Sequence, residues 1–259
     1  GREAVRLAAE LKPDVITMDV EMPVMDGISA VREIMRDRPT PILMLSALTV
    51  DGAAATMDAL GAGAVDFIPK RIGGSGGVTG LRDQLIEKIR GLGSRRPVTT
   101  RRSFPTPARP AVTPKTARAD KVPARDSGRI PRDARLVVIG ASTGGPAAVQ
   151  TVLAGLPADF PLPVLVIQHM PAMFTEAFAN RLDRTLAVRA REVTDGEALE
   201  PGCVYVAPGG RHTLVEGAGG RFRARLEEAG DNDHYRPSVD KAFASAAREA
   251  NSHVLGVVL

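Results

Sequence analysis

Short apolar runs alternate with helical patterns along the first 92 residues, and this alternation constrains the fold more than any other feature. Each apolar run predicts a strand, and each amphipathic pattern that follows predicts a helix. The predicted strands cover 15–18, 42–45 and 65–68, and the predicted helices lie near 28–36, 51–60 and 80–91. A repeated β-α order favours a parallel sheet with helices on both faces. We therefore predict an α/β domain over residues 1–92.

Polar residues stand where the three predicted strands end. Asp19 closes the first strand, Ser46 closes the second, and Lys70 follows the third. The carboxyl ends of parallel strands share one edge of the sheet, where ligands bind in such folds. An aspartate can accept a phosphoryl group as a nucleophile, and an ammonium and a hydroxyl suit the negative charge that results. The pattern predicts a phospho-acceptor site at this edge.

The basic character of the chain, with a pI of about 9.6, comes from one segment. Residues 94–135 contain 12 Lys/Arg and 3 Asp/Glu, whereas the rest contains 22 and 27. The segment also holds 7 of the 20 prolines. We interpret 93–134 as an extended linker, with a basic arm that contacts an acidic partner as the alternative. Because the predicted domains are mildly acidic, we expect no nucleic-acid partner.

A glycine-rich turn at 140–146 separates a predicted strand at 136–139 from a predicted helix at 147–154. A dinucleotide site would need the spacing G-x-G-x-x-G, which the glycines here do not match. Residues 140–144 do match G-x-S-x-G, the turn that exposes a nucleophilic serine, here Ser142. Backbone N–H groups near Thr143 and Gly144, at the start of the helix, would suit an oxyanion. Alternatively, Ser142 only caps the helix.

His169 is the best candidate for the base that a nucleophilic serine needs. It follows the next predicted strand, at 164–167, so it should lie on the same sheet edge as Ser142. The other histidines, at 212, 234 and 253, lie in polar turns or open the last strand. His169 comes 27 residues after the serine, whereas the histidine of α/β-hydrolases comes late in the chain. The sequence thus predicts a serine hydrolase of another fold.

Two resemblances cover nearly the whole chain. Residues 19–27 are similar to the loop that follows the phospho-acceptor of response-regulator receiver domains, whose fold is flavodoxin-like and doubly wound. Residues 135–259 resemble the catalytic domain of the chemotaxis protein-glutamate methylesterase (CheB) family. The stretches that carry the second resemblance are 139–146, 166–171, 174–175, 181–183, 204–212 and 236–240.

The receiver resemblance implies a role for each polar residue at the first sheet edge. Asp19 would be phosphorylated, Ser46 would take the Ser/Thr switch position, and Lys70 would be the invariant lysine. Asp19 and the carbonyl of Glu21 would help to bind Mg²⁺. Receivers also carry an acidic pair at the end of a first strand, which is expected to precede Gly1.

The methylesterase resemblance implies that Ser142 and His169 hydrolyse glutamate methyl esters on chemoreceptors and deamidate receptor glutamines, without a cofactor. The phosphodonor would be a chemotaxis histidine kinase. The orienting aspartate of this family is expected beyond Leu259, so the 259-residue chain itself is expected to have little esterase activity. A single cysteine, Cys203, and the lack of any apolar run of membrane-spanning length predict a cytoplasmic protein without membrane insertion.

Two other classes of function stay open at this stage. The chain could be a phospho-regulated binding module whose serine domain has lost catalysis, although both Ser142 and His169 are present. It could also be a DNA-binding response regulator, although residues 135–259 show no helix-turn-helix pattern and no basic recognition helix.

Overall fold

The computed structural model describes residues 1–70, 77–93, 133–218, 220–230, 233, 235–250 and 253–259, and within 77–80 and at 218 it describes the backbone alone. The linker predicted at 93–134 lies, apart from its ends, outside the described residues. Its extended character stays a prediction.

The N-terminal part alternates helices and strands as predicted. Its elements are α1 (Arg2–Leu11), β1 (Ile16–Asp19), α2 (Gly27–Asp37), β2 (Ile42–Ser46), α3 (Val50–Ala62), β3 (Asp66–Pro69) and α4 (Gly77–Gly93). The three strands form a parallel sheet in the order β1-β2-β3. Strands buried on both faces should be continuously apolar, and the side chains of Ile42, Leu43, Met44 and Ile68 are fully buried.

Side-chain caps explain where α2 and α3 begin. The carboxylate of Asp26 accepts a hydrogen bond from the backbone N–H of Ser29 (2.8 Å), and the hydroxyl of Thr49 accepts one from Gly52 (2.9 Å). Each satisfies a helix-start N–H that has no partner inside the helix. α3 ends at Gly63, whose φ of 117° is a left-handed conformation that glycine adopts without strain.

The C-terminal part is built on a second parallel sheet. Its elements are β4 (Leu136–Ala141), α5 (Gly145–Leu153), β5 (Val164–Gln168), α6 (Ala172–Thr185), β6 (Arg189–Glu192), β7 (Cys203–Val206), β8 (Arg211–Ala218), β9 (Arg221–Glu228), α7 (Val239–Ala250) and β10 (Val254–Val258). Five strands pair in the order β10-β4-β5-β7-β6. β4 and β5 are therefore neighbours, as the placement of Ser142 and His169 requires.

The antiparallel hairpin of β8 and β9 is a feature that we did not predict. On β9, the exposed residues Arg221, Arg223 and Arg225 alternate with the buried residues Phe222 and Ala224. This period of two is the ordinary signal of a half-buried strand, and it was available in the sequence. The hairpin packs against α7.

The two parts of the chain pack directly against each other. α3 lies against α6, and the rings of Phe67 on β3 and Phe174 on α6 are in contact, with centroids 4.4 Å apart. Both rings belong to one buried apolar cluster that spans the two sheets. Across the same interface, the guanidinium of Arg181 lies 3.7 Å from the carboxylate of Asp58. Within the described residues, no helix is long and apolar enough to cross a bilayer.

Candidate active site

The turn after β4 presents Ser142 at the carboxyl edge of the second sheet. Gly144 has a φ of 75°, a left-handed conformation that favours glycine, and it begins the turn into α5. A Cβ on Gly145 would lie 2.0 Å from the side-chain oxygen of Gln168, so this position also needs glycine. The glycines at 144 and 145 thus allow a sharp turn that holds the serine between a strand and a helix, as the G-x-S-x-G pattern predicts.

Ser142 and His169 form a hydrogen bond between neighbouring strand ends. The Nδ1 atom of His169 lies 3.1 Å from the Oγ of Ser142. The backbone N–H of His169 also donates to the carbonyl of Ala141 (3.1 Å), which continues the pairing of β4 with β5. A serine hydroxyl bonded to an imidazole is the arrangement of a nucleophile with its base. The structure therefore brings together the two residues that the sequence predicted would meet.

Gln168, the residue before the histidine, holds the backbone of the serine turn by a hydrogen bond. Its side-chain amide donates to the carbonyl of Ser142 (3.0 Å), and the residue is 1% exposed. The carbonyl of Ser142 also accepts a hydrogen bond from Gly145 (2.8 Å). Two donors on one carbonyl fix the backbone of the nucleophile, so Gln168 is a structural residue of the site that sequence reasoning missed.

The surroundings of His169 favour its neutral form. Burial of the imidazole lowers its pKa most, and the ammonium of Lys88 lowers it further, while the carboxylates of Asp240 and Glu87 act in the opposite direction. A general base must be unprotonated before it reacts, so a lowered pKa keeps His169 competent at lower pH than a free imidazole. Its Nε2 atom is buried and has no hydrogen-bond partner among the described residues.

A carboxylate from the N-terminal part reaches the serine turn. One oxygen of Asp66, the first residue of β3, accepts a hydrogen bond from the backbone N–H of Gly144 (2.9 Å). The same oxygen binds the ammonium of Lys88 on α4 (2.6 Å). The Asp66 side chain is 3% exposed, so this contact is shielded from water. An N–H group at the start of α5, where an oxyanion would bind, is thus occupied.

The phospho-acceptor edge of the first sheet is only partly assembled as the sequence predicts. The carboxylate of Asp19 forms an ion pair with the ammonium of Lys70 and accepts a hydrogen bond from the backbone N–H of Glu21 (3.2 Å). The Ser46 hydroxyl instead contacts α3, at 3.0 Å from the carbonyl of Gly52 and 2.6 Å from the hydroxyl of Thr56. Ser46 is fully buried, and these two partners, with the carbonyl of Ala47 (3.3 Å), satisfy its hydroxyl.

Asp19 and Glu21 are the residues to which the receiver resemblance assigns Mg²⁺. Carboxylate and carbonyl oxygens are the ligands that this ion prefers, so the two residues suit it chemically. In the part of the chain that the structure describes, no three His, Cys, Asp or Glu side chains converge on a point that could hold a metal. Further oxygen ligands would have to come from water, from the phosphoryl group or from residues outside the described part.

Comparison with known proteins identifies the family. Residues 137–259 match the family model described as CheB methylesterase, and residues 1–79 match the response regulator receiver domain. The whole chain is 48% identical to a protein-glutamate methylesterase/protein-glutamine glutaminase of Alkalilimnicola ehrlichii, of which it covers 75%. The chain belongs to the CheB methylesterase family. This membership favours the hydrolase over the DNA-binding regulator among the functions that the sequence left open.

A second relative, from Vibrio cholerae, is also described as a protein-glutamate methylesterase/protein-glutamine glutaminase; it is 44% identical over the whole chain, which covers 74% of its length. Among solved structures, the Thermotoga maritima CheB methylesterase catalytic domain is 38% identical, with 48% of this chain and 66% of that chain covered and a TM-score of 0.46. Family membership covers both the receiver and the catalytic part.

The lowered pKa of His169 leads to a pH prediction. Replacing Lys88 with methionine removes a positive charge that disfavours the imidazolium, so the pKa of His169 should rise. Titration of the histidine Cε1–H signals by NMR in the unphosphorylated protein would measure it. Arg36→Gln, which removes an exposed positive charge on α2, should leave this pKa unchanged. An unchanged or lower pKa in Lys88→Met would contradict the electrostatic role of Lys88.

Proposed function

We propose that Ser142 is the nucleophile and His169 the general base of a protein-glutamate methylesterase and protein-glutamine glutaminase that acts on chemoreceptors. The observation that carries the proposal is the 3.1 Å hydrogen bond between Ser142 Oγ and His169 Nδ1 at the carboxyl edge of two adjacent parallel strands. The names of the relatives supply the substrate class, since the proteins from Alkalilimnicola ehrlichii and Vibrio cholerae are both described as protein-glutamate methylesterase and protein-glutamine glutaminase.

The chemistry follows from the positions of the two side chains. Ser142 Oγ attacks the carbonyl carbon of the glutamate ester while His169 Nδ1 takes the hydroxyl proton. Backbone N–H groups of Thr143 and Gly144 stabilise the oxyanion of the tetrahedral intermediate. His169 then returns the proton to the leaving group, which is the ester oxygen that departs as methanol or, when the substrate is a glutamine, the amide nitrogen that departs as ammonia. Water, deprotonated by His169, hydrolyses the acyl-enzyme and releases the glutamate.

His169 also needs an orienting group. A buried Nε2–H without an acceptor is unfavourable, and an acceptor at this position would hold the tautomer in which Nδ1 can take the serine proton. We assign this role to a carboxylate from outside the described residues. Asp240 influences the pKa of His169 but makes no hydrogen bond with it, so it is not the group that we assign.

Regulation follows from the contact of Asp66 with the serine turn. While the receiver is docked, the Asp66 carboxylate occupies the N–H of Gly144, and Lys88 adds positive charge beside the base. β3 connects this contact to the phosphorylation site, because Asp66 begins the strand and Lys70, which pairs with Asp19, directly follows it. A phosphoryl group on Asp19 would replace the carboxylate as the partner of the Lys70 ammonium. The shift of Lys70 would then move β3.

Ser46 provides a second route from the phosphorylation site to the interface. Its hydroxyl now bonds to Gly52 and Thr56 of α3, the helix that packs against α6 of the catalytic domain. If the hydroxyl turns to the phosphoryl oxygens, α3 loses these bonds and its packing against α6 changes. Undocking of the receiver would then free Gly144 and open Ser142 to a receptor helix.

A chemotaxis histidine kinase would supply the phosphoryl group, with Mg²⁺ bound by Asp19, the carbonyl of Glu21 and further oxygen ligands. The ion would neutralise phosphoryl charge during the transfer. The substrate glutamates would lie on the cytoplasmic part of the receptors, so we also place the protein in the cytoplasm. No insertion into the membrane and no nucleic-acid partner is part of the proposal.

Replacing Asp19 with asparagine tests the regulation. Asparagine keeps the shape of the side chain but cannot accept a phosphoryl group, so a phosphodonor such as acetyl phosphate should no longer stimulate methanol release from methylated receptors. The measurement compares the full-length protein with and without the phosphodonor. Asp37→Asn, a change at an exposed position at the end of α2, should leave the stimulation intact. Undiminished stimulation of Asp19→Asn would rule out Asp19 as the acceptor.

A further inference from the structure

An aromatic ring covers one face of the base. The ring of Tyr235 stacks on the imidazole of His169, with centroids 4.4 Å apart and planes within 8° of parallel. Tyr235 is 53% exposed, so burial in the apolar core does not explain its position. It belongs to the loop between β9 and α7, and no part of the mechanism above uses it.

His169 needs the kind of restraint that this ring provides. Its Nδ1 bonds to Ser142, while its Nε2 has no partner among the described residues. Hydrogen bonds at Nδ1 and, with the carboxylate proposed above, at Nε2 act in the plane of the imidazole, so they only weakly resist rotation about the Cβ–Cγ bond, which would move Nδ1 away from the hydroxyl. A flat ring in parallel contact opposes this rotation. The π face also favours the imidazolium that forms when His169 takes the serine proton.

A buried histidine holds the loop that carries Tyr235. His212 is 1% exposed, its Nδ1 accepts the backbone N–H of Ser238 (3.1 Å), and its Nε2 lies 2.8 Å from the carboxylate of Asp233. Since Nδ1 accepts a hydrogen bond, the proton is on Nε2, which donates to Asp233. His212 therefore binds the chain on both sides of Tyr235.

Further contacts make the same loop rigid. Asp233 also accepts hydrogen bonds from the ammonium of Lys241 (2.9 Å) and from the backbone N–H of Gly230 (2.8 Å). Between the two anchors of His212, the carbonyl of Arg236 accepts the N–H of Gly210 (3.2 Å). An exposed aromatic side chain is thus held on a backbone that is fixed at several points, as a positioning element requires.

We propose that Tyr235 is a positioning residue that keeps the imidazole of His169 facing Ser142, and that the His212–Asp233 pair holds Tyr235 in place. The inference rests on the proposed roles of Ser142 and His169. It assigns Tyr235 no contact with the reacting atoms. Its effect should therefore appear in the reactivity of Ser142 with any acyl or phosphonyl donor, and not in the affinity for the receptor.

The test measures Ser142 reactivity in two ways in the full-length protein activated by a phosphodonor. One readout is the rate of labelling by a small fluorophosphonate, and the other is methanol release from methylated receptors as kcat and KM. Tyr235→Ala should lower the labelling rate and kcat together by about tenfold, with KM unchanged, whereas Tyr235→Phe, which keeps the ring, should stay within about twofold. Val152→Ala, at an exposed apolar position on α5, is the matched control.

The role of the His212–Asp233 pair in holding Tyr235 is tested by Asp233→Asn, alone and combined with Tyr235→Ala. If the pair acts through Tyr235, Asp233→Asn alone should lower the labelling rate, and the double variant should be no slower than Tyr235→Ala. A double variant whose loss of labelling rate is the product of the two single losses would show that the pair does not act through Tyr235. A normal labelling rate with a raised KM in Tyr235→Ala would overturn the positioning role and make Tyr235 a receptor contact. If thermal denaturation shows that Tyr235→Ala is already unfolded at the assay temperature, Tyr235→Leu repeats the test with most of the apolar volume kept. Absence of labelling in the unchanged protein would instead contradict the proposed function itself.

Discussion

Replacing Ser142 with alanine in the full-length, phosphodonor-activated protein is expected to lower methanol release by a factor on the order of 10⁴ or more. In the proposed mechanism the hydroxyl oxygen forms the acyl-enzyme, and no other hydroxyl in the described part of the chain forms a hydrogen bond with His169. We expect the 3.1 Å hydrogen bond to Nδ1 to be the contact that activates this hydroxyl. The measurement is the initial rate of methanol release from methylated receptors, with receptor binding measured separately.

The same experiment has an internal control. His169→Gln should lower the rate of methanol release nearly as much as Ser142→Ala does. The double variant should be little slower than either single variant, because the two side chains act as one unit. Thr175→Ala would not serve as a control, since that hydroxyl supports the loop at Gly209, but Thr151→Ala on the exposed side of α5 should leave the rate within about twofold. A Ser142→Ala protein that retains a tenth of the rate would contradict the assignment of the nucleophile.

Replacing Asp66 with asparagine is expected to activate the unphosphorylated protein by about 10- to 100-fold. The buried carboxylate accepts the Gly144 N–H from the catalytic part, whereas its other partner, Lys88, lies on α4 of the receiver itself. A hydrogen bond to a charged group contributes about 1.5–3 kcal/mol. Because every 1.4 kcal/mol is a factor of about ten, losing the bond to Gly144 should shift the docked receiver toward the open state by that amount. Asparagine can still accept the hydrogen bond from the N–H of Phe67, so the receiver itself should fold.

Asp58→Asn is the matched control for this prediction. It makes the same chemical change in the same interface, but its ion pair with Arg181 has a longer distance, 3.7 Å, and Asp58 is 58% exposed. Surface pairs contribute about 0–1 kcal/mol, so the activation should stay below about fivefold. The measurement is methanol release with and without phosphodonor. If Asp66→Asn leaves the unphosphorylated rate unchanged, the contact with Gly144 does not restrain the enzyme.

The sequence was sufficient to predict the parallel sheets and the meeting of Ser142 with His169. Both predictions depend on local patterns, which are the apolar strands, the glycine-rich turn and the rule that parallel strands end at one edge. Residues such as Ile139 and Val166 are apolar, as strands buried on both faces require, and both are buried. The ends of the apolar runs therefore locate the strand ends within a residue or two. Local physics thus determines where the chemistry-bearing side chains stand.

Contacts between distant segments could not be predicted in the same way. Asp66 precedes Gly144 by 78 residues, and nothing in its neighbourhood distinguishes it from an ordinary strand-end carboxylate. The stacking of Tyr235 on His169 likewise depends on a loop held by His212, which sequence reasoning set aside as a turn residue. Ser46 was placed at the correct strand end, but the direction of its hydroxyl depends on α3. Such contacts depend on how the elements pack.

Labelling of the nucleophile tests most directly whether His169 activates Ser142. Full-length protein, activated by a phosphodonor, is reacted with a fluorophosphonate and the modified peptide is identified by mass spectrometry. We predict a single phosphonylated residue, Ser142, and loss of that adduct in His169→Gln. An adduct on another residue, or methanol release from a protein whose Ser142 does not react, would contradict the account.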